Sequence, residues 1–236
     1  MREDLTVEIQ NSLRGQGFLI LKDGESFAVR VVLPAGKVTK DISDKLGDIA
    51  QRYGRGYFSL TQRLDVEIPF IKYEDIESVK KELLESNLIV GGTGRRVRSI
   101  HTCKGDVCRF GLINTEELTR DFTEKFYKKY YDTPLPNKFR ITIAGCRNSC
   151  PKPQISDIGI AGRKKDMVAV FIGGMNGISQ STGTELEGIY TLQQAEKIVD
   201  NAIHFYKNSG EPGERFPKMV ARLGVETVAK EILKNI

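Results

Sequence analysis

Long apolar runs are missing from this chain. No stretch of its 236 residues approaches the roughly 20 consecutive apolar positions that a membrane-spanning helix needs. Met1-Arg-Glu-Asp-Leu5 likewise lacks the apolar core of a secretory leader. Both absences predict a cytoplasmic protein that engages no membrane. Low-complexity segments and solenoid repeats are absent too, which excludes repeat architectures. The net charge is only +5, and its basic residues are not interleaved with aromatics in a binding motif, so no nucleic-acid partner is expected. Histidine is confined to two positions. His101 reads as a packing or surface residue, and His204, among Ile203, Phe205 and Tyr206, as structural.

Cysteine is nearly as scarce, and there the pattern is informative. The four cysteines form two close pairs, Cys103 with Cys108 and Cys146 with Cys150. A reducing compartment favours metal ligation by such thiols over disulfides. Four thiolates carried on two short loops suit either a cubane iron–sulfur cluster or a tetrahedral zinc.

Hydrophobic periodicity divides the chain into two halves, and a 39% hydrophobic content suffices for their cores. Phe27, Val29, Val31 and Leu33 alternate as a strand. Ile42, Leu46, Ile49, Ala50 and Tyr53 keep helical spacing up to Gly54. Residues 57–61 and 64–69 read as a hairpin, and 74–86 as a helix with Ile76, Val79, Leu83 and Leu84 inward. Residues 88–90 begin another strand. The β-α-β-β-α-β order is the ferredoxin-like arrangement, and Gly91-Gly-Thr-Gly94 is its natural end. The second half is predicted to place a helix over 115–130, strands over 139–144, 155–161 and 167–172, and helices over 192–206 and 225–233. The expected class is α+β, a ferredoxin-like half-domain over 1–92 followed by an α/β domain over 93–236.

Cations crowd around the cysteines. Lys138 and Arg140 lie two apart on a predicted strand and share a face opposite Phe139 and Ile141. Arg96 and Arg98 would do the same if their segment is extended. Two close cations in water repel by roughly 1 kcal/mol, and more when partly buried, so the cluster reads as an anion pocket.

These residues carry a family resemblance. Thr102-Cys-Lys-Gly-Asp-Val-Cys108, Lys138-Phe-Arg140, Gly145-Cys-Arg-Asn-Ser-Cys-Pro-Lys-Pro-Gln154 and Asp157-Ile-Gly159 resemble the signature of the sulfite/nitrite reductase family. Val29-Arg-Val-Val-Leu-Pro-Ala-Gly36 and Ser59-Leu-Thr-Gln-Arg63 resemble its half-domain motifs. The resemblance implies a [4Fe-4S] cluster on Cys103, Cys108, Cys146 and Cys150, with Cys150 bridging to the iron of a sirohaem. It implies that Arg98, Lys138 and Arg140 bind the anionic substrate, and that Arg30, Arg63 and Asn148 contact the cofactor. The reaction implied is six-electron reduction of sulfite to sulfide, or of nitrite to ammonia. A separate electron donor such as a ferredoxin would supply the electrons. A homodimer, or pairing with a homologous subunit, would restore the two-module arrangement of larger members.

The chain departs from that pattern in places. Four residues separate Cys103 from Cys108, about one fewer than usual. Val32 shares a strand face with Arg30 where many catalytic members carry a second cation, and the Gly-rich 172–180 loop has no arginine. Arg140 replaces the more usual lysine. The alternative reading is therefore an electron-transfer or regulatory relative that keeps the cluster, with or without sirohaem.

Overall fold

The computed structural model describes residues 5–91 and 93–236. Met1–Asp4 and Gly92, the last residue of the expected first domain, lie outside the described residues. The chain forms two compact units that divide between Gly94 and Arg95. Among the described residues no helix is long and apolar enough to cross a membrane.

The first unit runs α1 (Val7–Gly15), β1 (Phe18–Ile20), β2 (Phe27–Val32), α2 (Lys40–Tyr53), β3 (Ser59–Leu60), β4 (Val66–Ile71), α3 (Ile76–Glu85) and β5 (Ile89–Val90). β2 is central and pairs antiparallel with β4, which in turn pairs with β3. The other edge of β2 is shared, with β1 along its first half and β5 along its second. β2, α2, β3, β4, α3 and β5 realise the predicted ferredoxin-like order. Phe27, Val29 and Val31 of β2 form one core with Leu46 and Ile49 of α2 and Val79 and Leu83 of α3. Thr39 caps α2 by accepting the Ile42 N–H, and Gly54 ends it. A Cβ at Gly54 would lie 2.8 Å from the Pro69 carbonyl oxygen, so only glycine fits there. Leu84 does not face inward as expected but is 75% exposed. It follows Leu83 by one residue, about 100° around the helix and off the buried stripe. α1 and β1 have no counterpart in the sequence reading. Leu13 is the one buried residue of α1, so its apolar period is too thin to register.

The second unit contains β6 (His101–Thr102), α4 (Thr115–Phe122), β7 (Ile141–Ala144), β8 (Ile158–Lys164), β9 (Met167–Ile172), β10 (Thr184–Glu185), β11 (Tyr190–Thr191), α5 (Leu192–Ser209), α6 (Phe216–Leu223) and α7 (Val225–Ile232). Its sheet has the order β10-β9-β8-β7-β6, with β11 also on β9. β6, β7 and β8 are mutually parallel neighbours, whereas β9 is antiparallel to β8, β10 and β11. Phe139, Tyr206 and Phe216 stack against one another in the core, with ring centroids 5.1–5.7 Å apart. Thr191 and Gln194 form a capping box at the start of α5. The helix predicted over 115–130 changes character midway, continuing from α4 as a π-helix over Thr123–Lys128. The Thr123 hydroxyl donates to the Thr119 carbonyl at 2.7 Å, a back-bond of the kind that bends helices. Half of a capping box starts α4. Asn114 Oδ1 accepts the Glu117 N–H, and the return contact runs from Asn114 Nδ2 to the Glu117 carboxylate.

Candidate metal centre and anion pocket

Two parallel neighbouring strands deliver the cysteines. Thr102 of β6 is in register with Ile143 of β7, so both strands end at the same edge of the sheet. Cys103 follows the first, and Gly145 and Cys146 follow the second. The Thr102 hydroxyl donates to the Ile143 carbonyl at 3.0 Å, and the Gly145 N–H donates to Cys103 Sγ at 3.2 Å. Thr115, the first residue of α4, clamps the first loop: its hydroxyl donates to the Cys103 carbonyl at 2.7 Å and accepts the Gly105 N–H at 2.8 Å.

The two loops touch backbone to backbone. A Cβ on Gly105 would meet Gly145 Cα at 2.9 Å, and a Cβ on Gly145 would meet Gly105 Cα at 2.8 Å. Glycine at both positions is what lets the loops approach. In the second loop Ser149 and Lys152 adopt positive φ, 52° and 55°. The Lys152 N–H closes back on the Ser149 carbonyl at 2.7 Å. Asn148 is exposed on this loop.

None of the four thiols is in a disulfide. Cys103, Cys108 and Cys146 are partly buried and Cys150 is exposed. Burial pushes the Cys103 thiol up, the other three cysteines push it the same way, and the Gly145 N–H opposes them. Four cysteines on two facing loops are the donor set of an iron–sulfur cluster.

The cations assemble one segment away. Leu135 and Phe139 donate their N–H groups to the carbonyls of Arg95 and Arg96, and Arg98 donates to the Phe139 carbonyl. Val97 and Phe139, both fully buried, are parallel bridge partners. The pleat thus turns Arg96 and Arg98, together with Lys138 and Arg140, to the opposite face. Regular strand begins only at Ile141, so Lys138 and Arg140 flank this isolated bridge rather than lie within β7. Arg98 is buried, and the Arg96 guanidinium stacks 4.7 Å from the Tyr131 ring centroid.

Arg140 is held at both its backbone and its side chain. Its Nη1 donates to the Asn176 carbonyl at 3.0 Å, its backbone N–H donates to Asp157 Oδ2 at 2.9 Å, and its Nε is buried without a partner. Asp157 is fully buried and also accepts from Arg215 Nη2 at 3.1 Å and 3.2 Å. Arg215 and Asp157 carried no role in the sequence reading beyond the Asp157-Ile-Gly159 motif. Arg215 is 75 residues beyond Arg140 and adjoins no cysteine, so only the packing of α6 reveals it.

The remaining expected residues lie in the first unit or on the surface. Arg30 on β2 is bound to Glu67 of β4, with Nη2 to Oε1 at 2.6 Å. A Cβ on Gly91 would touch both Arg30 and Val32, so the two share a face as expected. Arg63 lies in the turn between β3 and β4, its N–H donating to Thr61 Oγ1. In the 172–180 loop Met175 is buried and exchanges backbone hydrogen bonds with Ser181. The first cysteine loop exposes Val107 and Phe110, 71% and 58%, beside exposed Lys104 and Arg109, while Arg147 is exposed on the second loop.

Comparison with known proteins adds to this geometry. Residues 93–236 match the nitrite and sulphite reductase 4Fe-4S domain, and residues 20–86 match the nitrite/sulfite reductase ferredoxin-like half domain. The chain is 36% identical over 143 residues to the coenzyme F420-dependent sulfite reductase of Methanocaldococcus jannaschii, covering 60% of this chain and 22% of that protein. It is 24% identical over 220 residues to the assimilatory-type sulfite reductase of Nitratidesulfovibrio vulgaris, covering 92% of this chain and 97% of that one. The crystal structure of dissimilatory sulfite reductase I superposes with a TM-score of 0.82 at 14% identity, over 89% of this chain and 69% of its own, a likeness of fold.

Proposed function

The chain belongs to the nitrite and sulphite reductase family, and we propose that it is a sulfite reductase, with nitrite as a second substrate, that uses a [4Fe-4S] cluster coupled to sirohaem. The observation that carries this reading is the face shared by Arg98, Lys138 and Arg140 on the segments leading into the four-thiol cradle. Cys103, Cys108, Cys146 and Cys150 would hold the cluster, and Cys150, the exposed one, would also reach the sirohaem iron. Buried and unpartnered guanidinium N–H groups on Arg96 and Arg140 suit a cofactor rich in carboxylates. We assign Asn148 to the same cofactor, and Arg30 and Arg63 as its carboxylate partners from the first unit. When bound, the pair of cofactors would pass a donor's electrons on to the anion.

The protein's own part is electrostatic. Arg98, Lys138 and Arg140 neutralise the oxyanion and hold it in one orientation, and Lys138 can give up a proton to an oxygen that leaves as water. Electrons must come from a separate donor, because all four cysteines are committed to one centre. The exposed Val107 and Phe110, with exposed Lys104 and Arg109 on the same segment and Arg147 on the other loop, suit an acidic one such as a ferredoxin. A homodimer or a homologous subunit completes the assembly we propose, in the cytoplasm.

Val32 and the arginine-free 172–180 loop favour the second reading, a relative that transfers electrons without turnover. The deciding experiment is the absorption spectrum of anaerobically purified protein with iron and acid-labile sulfide counted, followed by sulfite turnover with reduced viologen. Chlorin-type bands with turnover are expected. A fully loaded protein that reduces neither sulfite nor nitrite would overturn the enzyme reading.

A further inference from the structure

One fully buried carboxylate in the second unit ties two arginines and a loop together. Asp157 stands at the start of β8 with no exposure, and it receives the backbone N–H of Arg140 and the Nη2 of Arg215. Its own carbonyl accepts the Gly173 N–H at 3.0 Å, which ties the head of the Gly-rich loop to the same point. That loop in turn receives the Arg140 guanidinium on the Asn176 carbonyl. A structural ion pair needs one cation for one carboxylate. Here Asp157 takes one guanidinium, that of Arg215, and the backbone N–H of Arg140, and each arginine keeps a buried Nε–H without a partner. Burying an unpaired donor is costly, so packing alone does not account for the arrangement.

Resting on the reading that Arg140 meets the anion, we infer that Asp157 and Arg215 are positioning residues, a buried clamp that fixes the strand and guanidinium of Arg140 for anion binding. Arg215 fixes the Asp157 carboxylate, and Asp157 fixes the Arg140 backbone. The Gly-rich loop fixes the far end of the side chain. This contribution arises in a chain that carries valine at position 32 and no arginine in its 172–180 loop.

The test is a set of single and double variants of the loaded protein, read by equilibrium titration with sulfite alongside KM, kcat, iron content and melting temperature. Arg215→Met is expected to weaken sulfite binding about tenfold, raise KM in step and leave iron content unchanged. Asp157→Asn should do the same, and the double variant should be no worse than either single one, because the two act through one another. Additive losses would mean that Arg215 meets the anion itself and would overturn the clamp. So would an unchanged sulfite affinity accompanied only by a lower melting temperature. If Arg215→Met yields no folded protein, Arg215→Lys keeps the charge but not the planar fork, and about a threefold weakening is expected; no change there overturns the inference. Arg140→Ala separates the two layers. Unchanged binding in that variant removes Arg140 from the pocket and sinks the reading beneath. Weakened binding there with Arg215→Met unaffected sinks the clamp alone.

Discussion

Gly145 shows how a single residue decides whether the centre can exist. Its N–H donates to Cys103 Sγ, its Cα lies against Gly105, and its carbonyl accepts the Leu112 N–H at 2.8 Å. A Cβ there would collide with backbone on the facing cysteine loop, which no side-chain rotation can relieve. Gly145→Ala is therefore expected to destabilise the protein by about 1–3 kcal/mol and to lower its iron content. Full iron loading with an unchanged melting curve would contradict that. Lys138 poses a different question, because the role proposed for it is charge rather than fit. Lys138→Ala should raise KM for sulfite about tenfold while iron content and absorption stay as in the wild type. An unaltered KM would remove Lys138 from the pocket.

At the scale of elements, the sequence was legible where one period dominates. α2, α3 and α5, with their apolar stripes, stand close to where the spacing puts them, and Thr caps start α2 and α5. The π-helix after α4 was not legible, because apolar spacing cannot register one hydroxyl bonded to the carbonyl four residues back. β6 and β11, two residues each, lie below the length at which alternation can be recognised. The site divides along the same line. Cysteine spacing announces the thiols, and Lys138 and Arg140 announce themselves by adjacency. Arg215 reaches Asp157 only through the docking of α6, which local sequence does not encode.

Asp157 also couples elements through its titration, since it joins the segment before β7 to the start of β8 and to the head of α6. Burial raises its carboxyl from 3.8 to about 6, against the pull of Arg215 and the Arg140 N–H. A carboxyl held up in the folded state gives stability that is fully present below 3.8 and is lost as pH rises through about 6. Urea unfolding of the wild type and Asp157→Asn across that window should show the wild type gaining on the variant as pH falls. A stability difference that does not vary with pH would show that the carboxyl titrates alike in both states.

For the whole molecule the constraint is electron supply. On the proposed assignment the four cysteines of the chain all serve one centre and leave none for a relay cluster. Reducing power must cross the surface, and a path beside the thiols is short. The first cysteine loop exposes Phe110 with the Arg109 guanidinium 5.7 Å from its ring centroid. Lys104 on the same loop and Arg147 on the other add two exposed cations. An acidic protein donor gains there both a steered approach and an apolar contact, whereas a small viologen cation gains neither. Arg109→Glu and Phe110→Asp are therefore expected to slow cluster reduction by an acidic ferredoxin about tenfold at low salt. Reduction by viologen should be unchanged. Raising the ionic strength should slow the wild-type reaction with ferredoxin toward the rate of the variants, because salt shortens the reach of these charges to about 8 Å at physiological strength. Stopped-flow bleaching of the cluster absorbance measures all of these rates. Equal slowing with viologen would point instead to a damaged centre, and a salt-independent ferredoxin rate in the wild type would move the docking face away from the cysteine loops.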